Sequence, residues 1–219
     1  MEIDKYILGL CKRALLSSNE SGKYCASLKN KVLKSISNYI IDDTKKIITA
    51  NNVDIDNATK KCLKDSMIDR LILNEKRIIS MKDGLAKIIS IPDTLYKISK
   101  GVKQKNGISV SQMRVPLGVI GMIYESRPNV TIDAAGLCIK SGNSVILRGG
   151  SESINSNKAL MNCIKKALKD NNINPYMVQL IETTDRKAID KLLAMNSYID
   201  VIIPRGGKGL IEKVMSSSK

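Results

Sequence analysis

Apolar residues recur every three or four positions through the first hundred residues, the spacing that is typical of amphipathic helices. The stripes with this spacing are Val32, Ile36 and Ile40, then Leu63, Met67, Ile68, Leu71 and Ile72, then Ile78, Leu85, Ile88 and Ile89. The polar runs Asn51-Asn52 and 54–57 predict breaks between helices, and Ile91-Pro92-Asp93 predicts the end of the series. The first half is therefore predicted to be helical, and it carries no motif with evident chemistry.

The pattern changes near residue 105. Lys105-Asn106-Gly107 is a turn signal, and residues 108–114 alternate apolar and polar side chains as a strand does. Short apolar runs then alternate with helical stretches: strands at 118–124, 144–147, 178–181 and 201–203, and helices at 131–140, 155–169, 185–195 and from 208. This alternation predicts an α/β fold: a helical region at 1–104, then a Rossmann-like parallel sheet with helices on both faces at 105–219.

Residues at the ends of these helices support the same assignment. Thr184-Asp185 is a favourable N-cap pair for the helix that follows it. Gly142 stands where a left-handed residue would end the helix before Ser144, and Lys140 would face the negative end of that helix. Local signals and the overall pattern therefore agree.

Composition limits the classes of partner. The net charge is +15, but residues 1–110 carry 21 basic and 12 acidic side chains and residues 111–219 carry 15 and 9, so the excess is spread evenly. With no Phe, no Trp and seven Tyr, stacking platforms for single-stranded nucleic acid are scarce. A lysine-rich solvated surface explains the charge better than a nucleic-acid face. The apolar runs are too short for a membrane span, and the acidic, amphipathic N-terminus predicts a cytoplasmic location.

The chain contains five cysteines and no histidine. The cysteines are widely spaced without a Cys-x-x-Cys pair, so we expect small buried hydrophobes rather than disulfides or a zinc site. The lack of histidine excludes Ser-His and Cys-His nucleophile activation within this chain. We therefore expect no metal centre.

The first of three loops that follow predicted strands holds a carboxylate, a guanidinium and an amide. Arg127 offers planar donors to a carboxylate or phosphate, and Asn129 can donate to a developing oxyanion. Alternatively, Asn129 is only an N-cap and Glu125 and Arg127 form a surface ion pair. Spacing alone favours neither interpretation.

Two further loops combine glycines with charged residues. In Arg148-Gly149-Gly150-Ser151-Glu152, Arg148 suits the phosphate of NADP and Glu152 can accept from a ribose hydroxyl. The motif departs from Gly-x-Gly-x-x-Gly and is weak by itself. In Pro204-Arg205-Gly206-Gly207-Lys208-Gly209, glycines and cations precede a helix, a combination that can cradle an anion. Because strand-end loops meet at one edge of a parallel sheet, the three loops together predict a binding site.

Stretches 115–131, 140–152 and 203–211 resemble the γ-glutamyl phosphate reductase family of the aldehyde dehydrogenase superfamily. The strings Tyr-Glu-Ser-Arg-Pro-Asn at 124–129 and Pro-Arg-Gly-Gly-Lys-Gly at 204–209 are its most specific features. The resemblance implies NADPH-dependent reduction of γ-glutamyl 5-phosphate to glutamate 5-semialdehyde and phosphate, the second step of proline biosynthesis from glutamate. In this reaction a cysteine displaces phosphate to give a thioester, which hydride then reduces.

The resemblance also assigns residue roles. Asn129 resembles the oxyanion donor, and Arg127 and Arg205 are candidates for holding a phosphate. The residues that it implies for cofactor binding are Tyr124, Glu125, Ser126, Arg148, Gly149, Ser151, Glu152, Gly206, Gly207 and Lys208. Candidate partners are γ-glutamyl phosphate, a second copy of the chain and the neighbouring pathway enzyme glutamate 5-kinase.

The sequence departs from the family pattern in one respect. The family's nucleophilic cysteine belongs to a segment downstream of the Lys208 helix, and none of the five cysteines has that context. The catalytic cysteine domain is thus expected to be absent, and the chain is not expected to catalyse the reaction alone. A different hypothesis is an inactive nucleotide-binding or interaction module that retains the fold.

Overall fold

A computed structural model of the protein describes residues 2–217; Met1 and residues 218–219, at the outer limits of the two predicted regions, lie outside the described part. Its α-helices are α1 (Glu2–Ser21), α2 (Ala26–Asp42), α3 (Thr44–Lys60), α4 (Asp65–Leu71), α5 (Glu75–Ser90), α6 (Asn129–Lys140), α7 (Ile154–Asp170), α8 (Lys187–Leu193) and α9 (Lys208–Ser217). Its strands are β1 (Val102–Lys103), β2 (Ser109–Val110), β3 (Val119–Tyr124), β4 (Ser144–Arg148), β5 (Val178–Leu180) and β6 (Val201–Arg205).

The first half is helical as predicted, and its last helix ends at Ser90, next to the predicted end of the series at 91–93, but the earlier breaks lie elsewhere. Helix α3 continues through 51–57, because Asn51 and Asp54 face inward and bond to neighbouring elements instead of ending the helix. The chain turns instead at Asp43 and at Cys62, whose φ of 51° is left-handed. The helix predicted from Leu63 to Ile72 is correspondingly shortened to α4.

Residues 96–114 form an exposed antiparallel hairpin that pairs Val102 with Val110. The predicted turn is present, with Gly107 at φ 89°. The predicted strand at 108–114 is mostly irregular: only β2 and a bridge between Ile98 and Met113 pair, and neither joins the parallel sheet. The predicted boundary at residue 104 falls between the two strands of this hairpin and stays a prediction.

The parallel sheet has the strand order β5-β4-β3-β6. Ile123 pairs with Arg148 of β4, and Tyr124 pairs with Arg205 of β6. The order therefore brings the carboxyl ends of β4, β3 and β6 side by side. All four predicted strands of this sheet are confirmed, with limits that differ by one or two residues.

Alternate residues of the strands face two separate apolar cores. Ile120 and Val145 pack among α2, α3, α5, α6 and α7, whereas Val119 and Ile146 pack among α1, α8 and α9. Helices therefore cover both faces of the sheet, which confirms the predicted α/β architecture. Each core combines elements from residues 1–104 with elements from the second half.

The predicted helix ends are largely present. Gly142 adopts φ 70° after α6, and Lys140 donates from Nζ to Asn30 Oδ1 at 2.7 Å and to Ile89 O at 2.9 Å. The N-cap prediction for Thr184-Asp185 is wrong, because Arg186 holds the N-cap position and α8 begins two residues later than predicted. Asp185 Oδ1 still accepts from Lys187 N at 2.8 Å and so supports the first turn of α8. Between residues 2 and 217, the helices are too short or too polar to span a membrane.

The cysteine prediction holds for three of the five thiols. Cys11, Cys138 and Cys163 are buried, and burial raises the pKa of Cys11 to about 11, of Cys138 to about 12 and of Cys163 to about 11. Cys25 and Cys62 are exposed, so for them the prediction is wrong. Cys25 precedes α2 and Cys62 follows α3, where chain turns at the surface hold both.

Candidate functional site

The three loops identified in the sequence meet at one edge of the sheet, where β4, β3 and β6 end. The central strand β3 leads into residues 125–128, β4 leads into 149–153, and β6 leads into 206–207. Contacts between these loops, and with the loop after β5, hold them together. We call this assembly the strand-end cradle.

Glu125 joins the loop after β3 to the glycine loop after β6. Its Oε1 accepts from Gly207 N at 2.9 Å, and its own N–H donates to Arg205 O at 3.3 Å. A Cβ on Gly206 would lie 2.5 Å from the Glu125 carboxyl carbon, so a side chain at this position would displace the carboxylate from its bond to Gly207. Glu125 forms no ion pair with Arg127, which overturns the alternative of a surface pair within the first loop.

Ser126 and Glu152 join the loop after β3 to the loop after β4. Ser126 Oγ donates to Glu152 Oε1, and Ser151 Oγ donates to Glu152 Oε2 at 3.3 Å. Ser126 is buried, Glu152 is half-buried and Ser151 is exposed. The Glu152 carboxylate therefore lies at the surface of the cradle, and hydrogen bonds from the two serines hold it in position.

Arg148 links the loop after β4 to the loop after β5. Its Nη1 donates to Gly149 O and its Nη2 to Thr184 O at 3.3 Å, and the side chain is only 5% exposed. Burial lowers the pKa of this guanidinium, although Glu152 nearby opposes the shift. Nε of Arg148 is buried and makes no hydrogen bond within the described part of the chain. The bonds to Gly149 and Thr184 therefore use two of the five N–H donors of this guanidinium.

A buried polar chain supports the cradle from below. Thr131 Oγ1 bonds the Tyr124 hydroxyl at 2.7 Å and donates to Asn157 Oδ1 at 2.9 Å, and Asn157 Nδ2 donates to Ser153 Oγ at 3.0 Å. Tyr124 is 2% exposed, and burial raises its pKa well above the ordinary value. A Cβ on Gly149 would come within 2.3 Å of Asn157 and 3.0 Å of the Tyr124 ring. The loop after β4 therefore rests directly on this layer.

Two cavities open beside the cradle. The first, about 350 Å³, is lined by Arg70, Glu125, Ser126, Arg127, Val130, Arg205, Gly206 and Gly207. The second, about 550 Å³, lies between α4, α5 and the start of α6 and includes Arg127 and Asn129. Both volumes fall within the range of ligand pockets, roughly 300–1,000 Å³. Arg70 and Arg127 line both cavities, so the two are neighbours.

Asn129 is the first residue of α6 and lines the second cavity. The N-cap position belongs to Pro128, and Asn129 Nδ2 donates to Asp133 Oδ2 at 3.1 Å. The alternative of Asn129 as an N-cap is therefore wrong, because the helix begins one residue earlier than that role requires. Its amide lies next to the two cavities.

Lys208 begins α9 immediately after the glycine loop. Its ammonium is largely exposed and lies 3.6 Å from Glu212 one turn later. The free N–H groups at this end of the helix, together with Lys208 and Arg205, give the glycine loop a positive surface. The structure thus places every predicted site residue in or directly beneath the cradle and its cavities.

The sequence interpretation overlooked several residues here. Thr131, Asn157 and Thr184 support the cradle, while Asp133 and Arg70 line the cavities. Asp133 carries a recognisable signal, since it is the one carboxylate in an otherwise apolar or neutral first two turns of α6. Arg70 carries none, because nothing in the sequence brings α4 beside a strand end. Metal-binding clusters of three or more His, Cys, Asp or Glu are absent from residues 2–217.

The donor set is compatible with a dinucleotide. Exposed cations, a glycine loop at a helix start, a fixed carboxylate and the unused Nε of Arg148 are the kinds of group that bind phosphates and ribose hydroxyls. The residues present therefore fit such a ligand.

The whole chain is similar to known reductases and spans about half the length of the curated relatives it matches. A γ-glutamyl phosphate reductase of Halothermothrix orenii is 47% identical over 219 residues, which are 100% of this chain and 52% of that protein. The crystal structure of γ-glutamyl phosphate reductase from Thermotoga maritima superimposes with a TM-score of 0.94 at 37% identity, covering 97% of this chain and 51% of that one. No family model matches the chain.

More distant structures share the fold. A probable aldehyde dehydrogenase from Listeria monocytogenes superimposes with a TM-score of 0.75 at 14% identity, over 99% of this chain and 45% of that one. At this level of identity the likeness concerns architecture alone. It confirms the aldehyde dehydrogenase-like fold.

Proposed function

We propose that this chain, which is homologous over its whole length to the N-terminal half of γ-glutamyl phosphate reductase, is the cofactor-binding half of such an enzyme. The reaction would be NADPH-dependent reduction of γ-glutamyl 5-phosphate to glutamate 5-semialdehyde and phosphate. The observation that carries the proposal is the strand-end cradle, in which side chains from three loops are fixed by one another around exposed cations.

We assign roles within the cradle from the hydrogen-bond donors and acceptors that each side chain can still give to a ligand. Glu152, fixed by Ser126 and Ser151, would accept hydrogen bonds from ribose hydroxyls. Arg148 would hold the loops after β4 and β5 in position and offer Nε to the cofactor. Tyr124 and Gly149 would support that loop from beneath.

The glycine loop after β6 would bind the phosphates of the cofactor. Glu125 fixes Gly206 and Gly207, while Lys208 and Arg205 supply positive charge at the start of α9. When bound, NADPH would supply hydride to the substrate. Arg127 and Arg205 would hold a phosphate, and the amide of Asn129 would lie ready to donate to an oxyanion.

The nucleophile of this reaction would come from another part of the enzyme. Cys11, Cys138 and Cys163 are buried with raised pKa values and are therefore poor thiolates. Cys25 lies in a cavity with Gly22, which packs against Gly142 at the amino-terminal edge of β4, opposite the cradle. None of these four thiols fits the role, and the exposed Cys62 lines neither of the two cavities beside the cradle. A cytoplasmic location, a homo-oligomer and contact with glutamate 5-kinase remain predictions.

The test is titration of NADPH, and separately of NADH, into the 219-residue chain, followed by nicotinamide fluorescence and thermal stability. We expect saturable binding with a preference for NADPH. The variant Arg205→Glu replaces a cation beside the glycine loop and should weaken NADPH binding about tenfold, which corresponds to about 1.4 kcal/mol.

Lys97→Glu is the matched control, because it makes the same charge change on the exposed hairpin. It should leave binding unchanged. A folded sample that binds neither nucleotide would contradict the proposal and favour an interaction module that retains the fold without the site. Equal losses in both variants would indicate non-specific attraction of the phosphates to a basic surface.

A further inference from the structure

The 550 Å³ cavity contains a carboxylate that the described part of the protein leaves without a cationic partner. Asp133 lines this cavity from α6, and its one hydrogen bond comes from Asn129 Nδ2 at 3.1 Å. Burial raises the pKa of Asp133, and the charge of Arg205 and the hydrogen bond from Asn129 oppose the shift. A half-buried carboxylate without an ion pair is destabilising, and a cation placed in the cavity would relieve that cost.

Cations without partners lie in the same cavity. Arg70, Lys87 and Arg127 are exposed and make no hydrogen bond or ion pair from their side chains within residues 2–217. Arg77, in contrast, is committed to the protein: it donates to Ile72 O at 2.8 Å and to Asp69 Oδ1 at 2.9 Å. The cavity therefore presents both a free negative and a free positive side to a ligand.

Gly84 opens the space beside Asp133. It lies in the interior of α5, where glycine costs about 1 kcal/mol relative to alanine. A Cβ at this position would lie 3.8 Å from Asp133 Oδ1, in ordinary contact, so its absence leaves room next to the carboxylate. Gly84 therefore leaves space in the cavity beside the Asp133 carboxylate.

The 550 Å³ cavity also adjoins the strand-end cradle. It shares Arg70 and Arg127 with the 350 Å³ cavity that the glycine loop lines. A ligand whose phosphate lies at Arg127 and Arg205 would direct its other end toward Asp133. The second cavity therefore lies where the far end of the proposed substrate would be.

We propose that this cavity recognises the α-amino acid group of the substrate, with the ammonium at Asp133 and the α-carboxylate at Arg70. Asp133 then determines specificity: it distinguishes an amino acid from an otherwise identical dicarboxylate. This inference rests on the proposed function, because it takes a γ-glutamyl compound as the substrate. It adds the residue that selects the amino group.

The test compares L-glutamate with glutarate, which lacks only the α-amino group, by NMR or calorimetric titration of the 219-residue chain. We expect L-glutamate to bind about tenfold more tightly than glutarate. In Asp133→Asn the preference should disappear, because the neutral amide no longer attracts an ammonium. Asp56→Asn, an exposed site on α3, is the control and should keep the preference.

Equal binding of the two ligands by the unmodified chain, binding of neither, or an unchanged preference in Asp133→Asn would overturn the inference. Gly84→Ala gives a second measurement if Asp133→Asn fails to fold: the added methyl should weaken L-glutamate more than glutarate. NADPH binding is recorded in the same samples. Normal NADPH binding without a glutamate preference rejects this inference alone, whereas loss of both rejects the proposed function as well.

Discussion

Two polar regions of the molecule differ in how many of their polar groups form hydrogen bonds or ion pairs within the protein. Between α3 and α7, Asp54 is 2% exposed and accepts from the N–H and Nδ2 of Asn155 and from the N–H and Oγ of Ser156. Asn51, beside it, bonds Leu71 O, Leu73 N and Ser156 Oγ. At the strand-end cradle and its cavities, Arg148 Nε has no hydrogen-bond partner within residues 2–217, and the Asp133 carboxylate accepts a single hydrogen bond from them.

The difference separates polar groups that stabilise the fold from polar groups that are available to a ligand. A fully bonded buried network fixes the position of helices, and each member is costly to remove. A group left with free donors or an unpaired charge costs stability in the free protein and gains its partner on binding. The α3–α7 junction is of the first kind and the cradle is of the second.

The largest expected effect concerns the junction. Asp54→Ala removes the acceptor of four hydrogen bonds and leaves the first N–H groups of α7 buried without partners, so we expect a loss of about 3 kcal/mol in the free energy of unfolding. Chemical denaturation measures it. Asp56→Ala, an exposed carboxylate two residues away, should change stability by less than about 0.5 kcal/mol. Equal effects would show that the network is not the source of stability.

A smaller loss is expected beneath the cradle. Gly149→Ala places a methyl within 2.3 Å of Asn157 and 3.0 Å of the Tyr124 ring, and such overpacking costs about 2 kcal/mol. Gly209→Ala is the matched change in α9, where a Cβ would meet nothing within 4 Å. Thermal denaturation of the two variants should differ accordingly. A Gly149→Ala protein as stable as Gly209→Ala would mean that the loop is not tightly seated on this layer.

The smallest effect has the opposite sign. The folded-state pKa of Asp133 lies above the ordinary value of 3.8, so between the two values the folded protein binds more protons than the unfolded chain, and its stability falls as pH rises. Asp133→Asn does not titrate and should be more stable than the unmodified chain at neutral pH, by up to about 1 kcal/mol.

The measurement for Asp133 is the free energy of unfolding of both proteins at several pH values from below 3.8 to neutrality. The advantage of Asp133→Asn should be absent at the acidic end and grow as the pH rises. A stability difference between the two proteins that is constant with pH would show that ionisation of Asp133 does not destabilise the folded chain. In that case a cationic ligand would not be needed to offset the cost of the Asp133 carboxylate.

The sequence was a good guide to the second half of the fold. Each short apolar run flanked by turn residues became a strand, because a strand buried on both faces needs continuous apolar residues. The γ-glutamyl phosphate reductase resemblance is likewise confirmed by relatives and by structure. Periodicity and motif suffice where local sequence and burial point in the same direction.

The sequence was a poor guide where polar residues bond to partners that are distant in sequence. Asn51 and the residues 54–57 were predicted to break a helix, since asparagine and aspartate favour turns when they face water. In the folded chain, Asp54 meets Asn155 and Ser156 about a hundred positions away. Likewise, spacing left open whether Glu125 forms an ion pair with Arg127, and the structure pairs Glu125 with Gly207 instead.

The sequence by itself determined the α/β architecture, the order of helices and strands from Val119 onward, and three loops rich in glycine and charge, because these follow from local periodicity and from motifs within one stretch of chain. The tertiary structure decided which polar groups bond to one another and which remain free. Hydrogen-bond partners such as Arg148 and Thr184, and cavities that bring Arg70 to Asp133, depend on strand order and helix packing. Those contacts join residues that no local pattern connects, and they separate the residues that support the fold from those that we propose bind ligands.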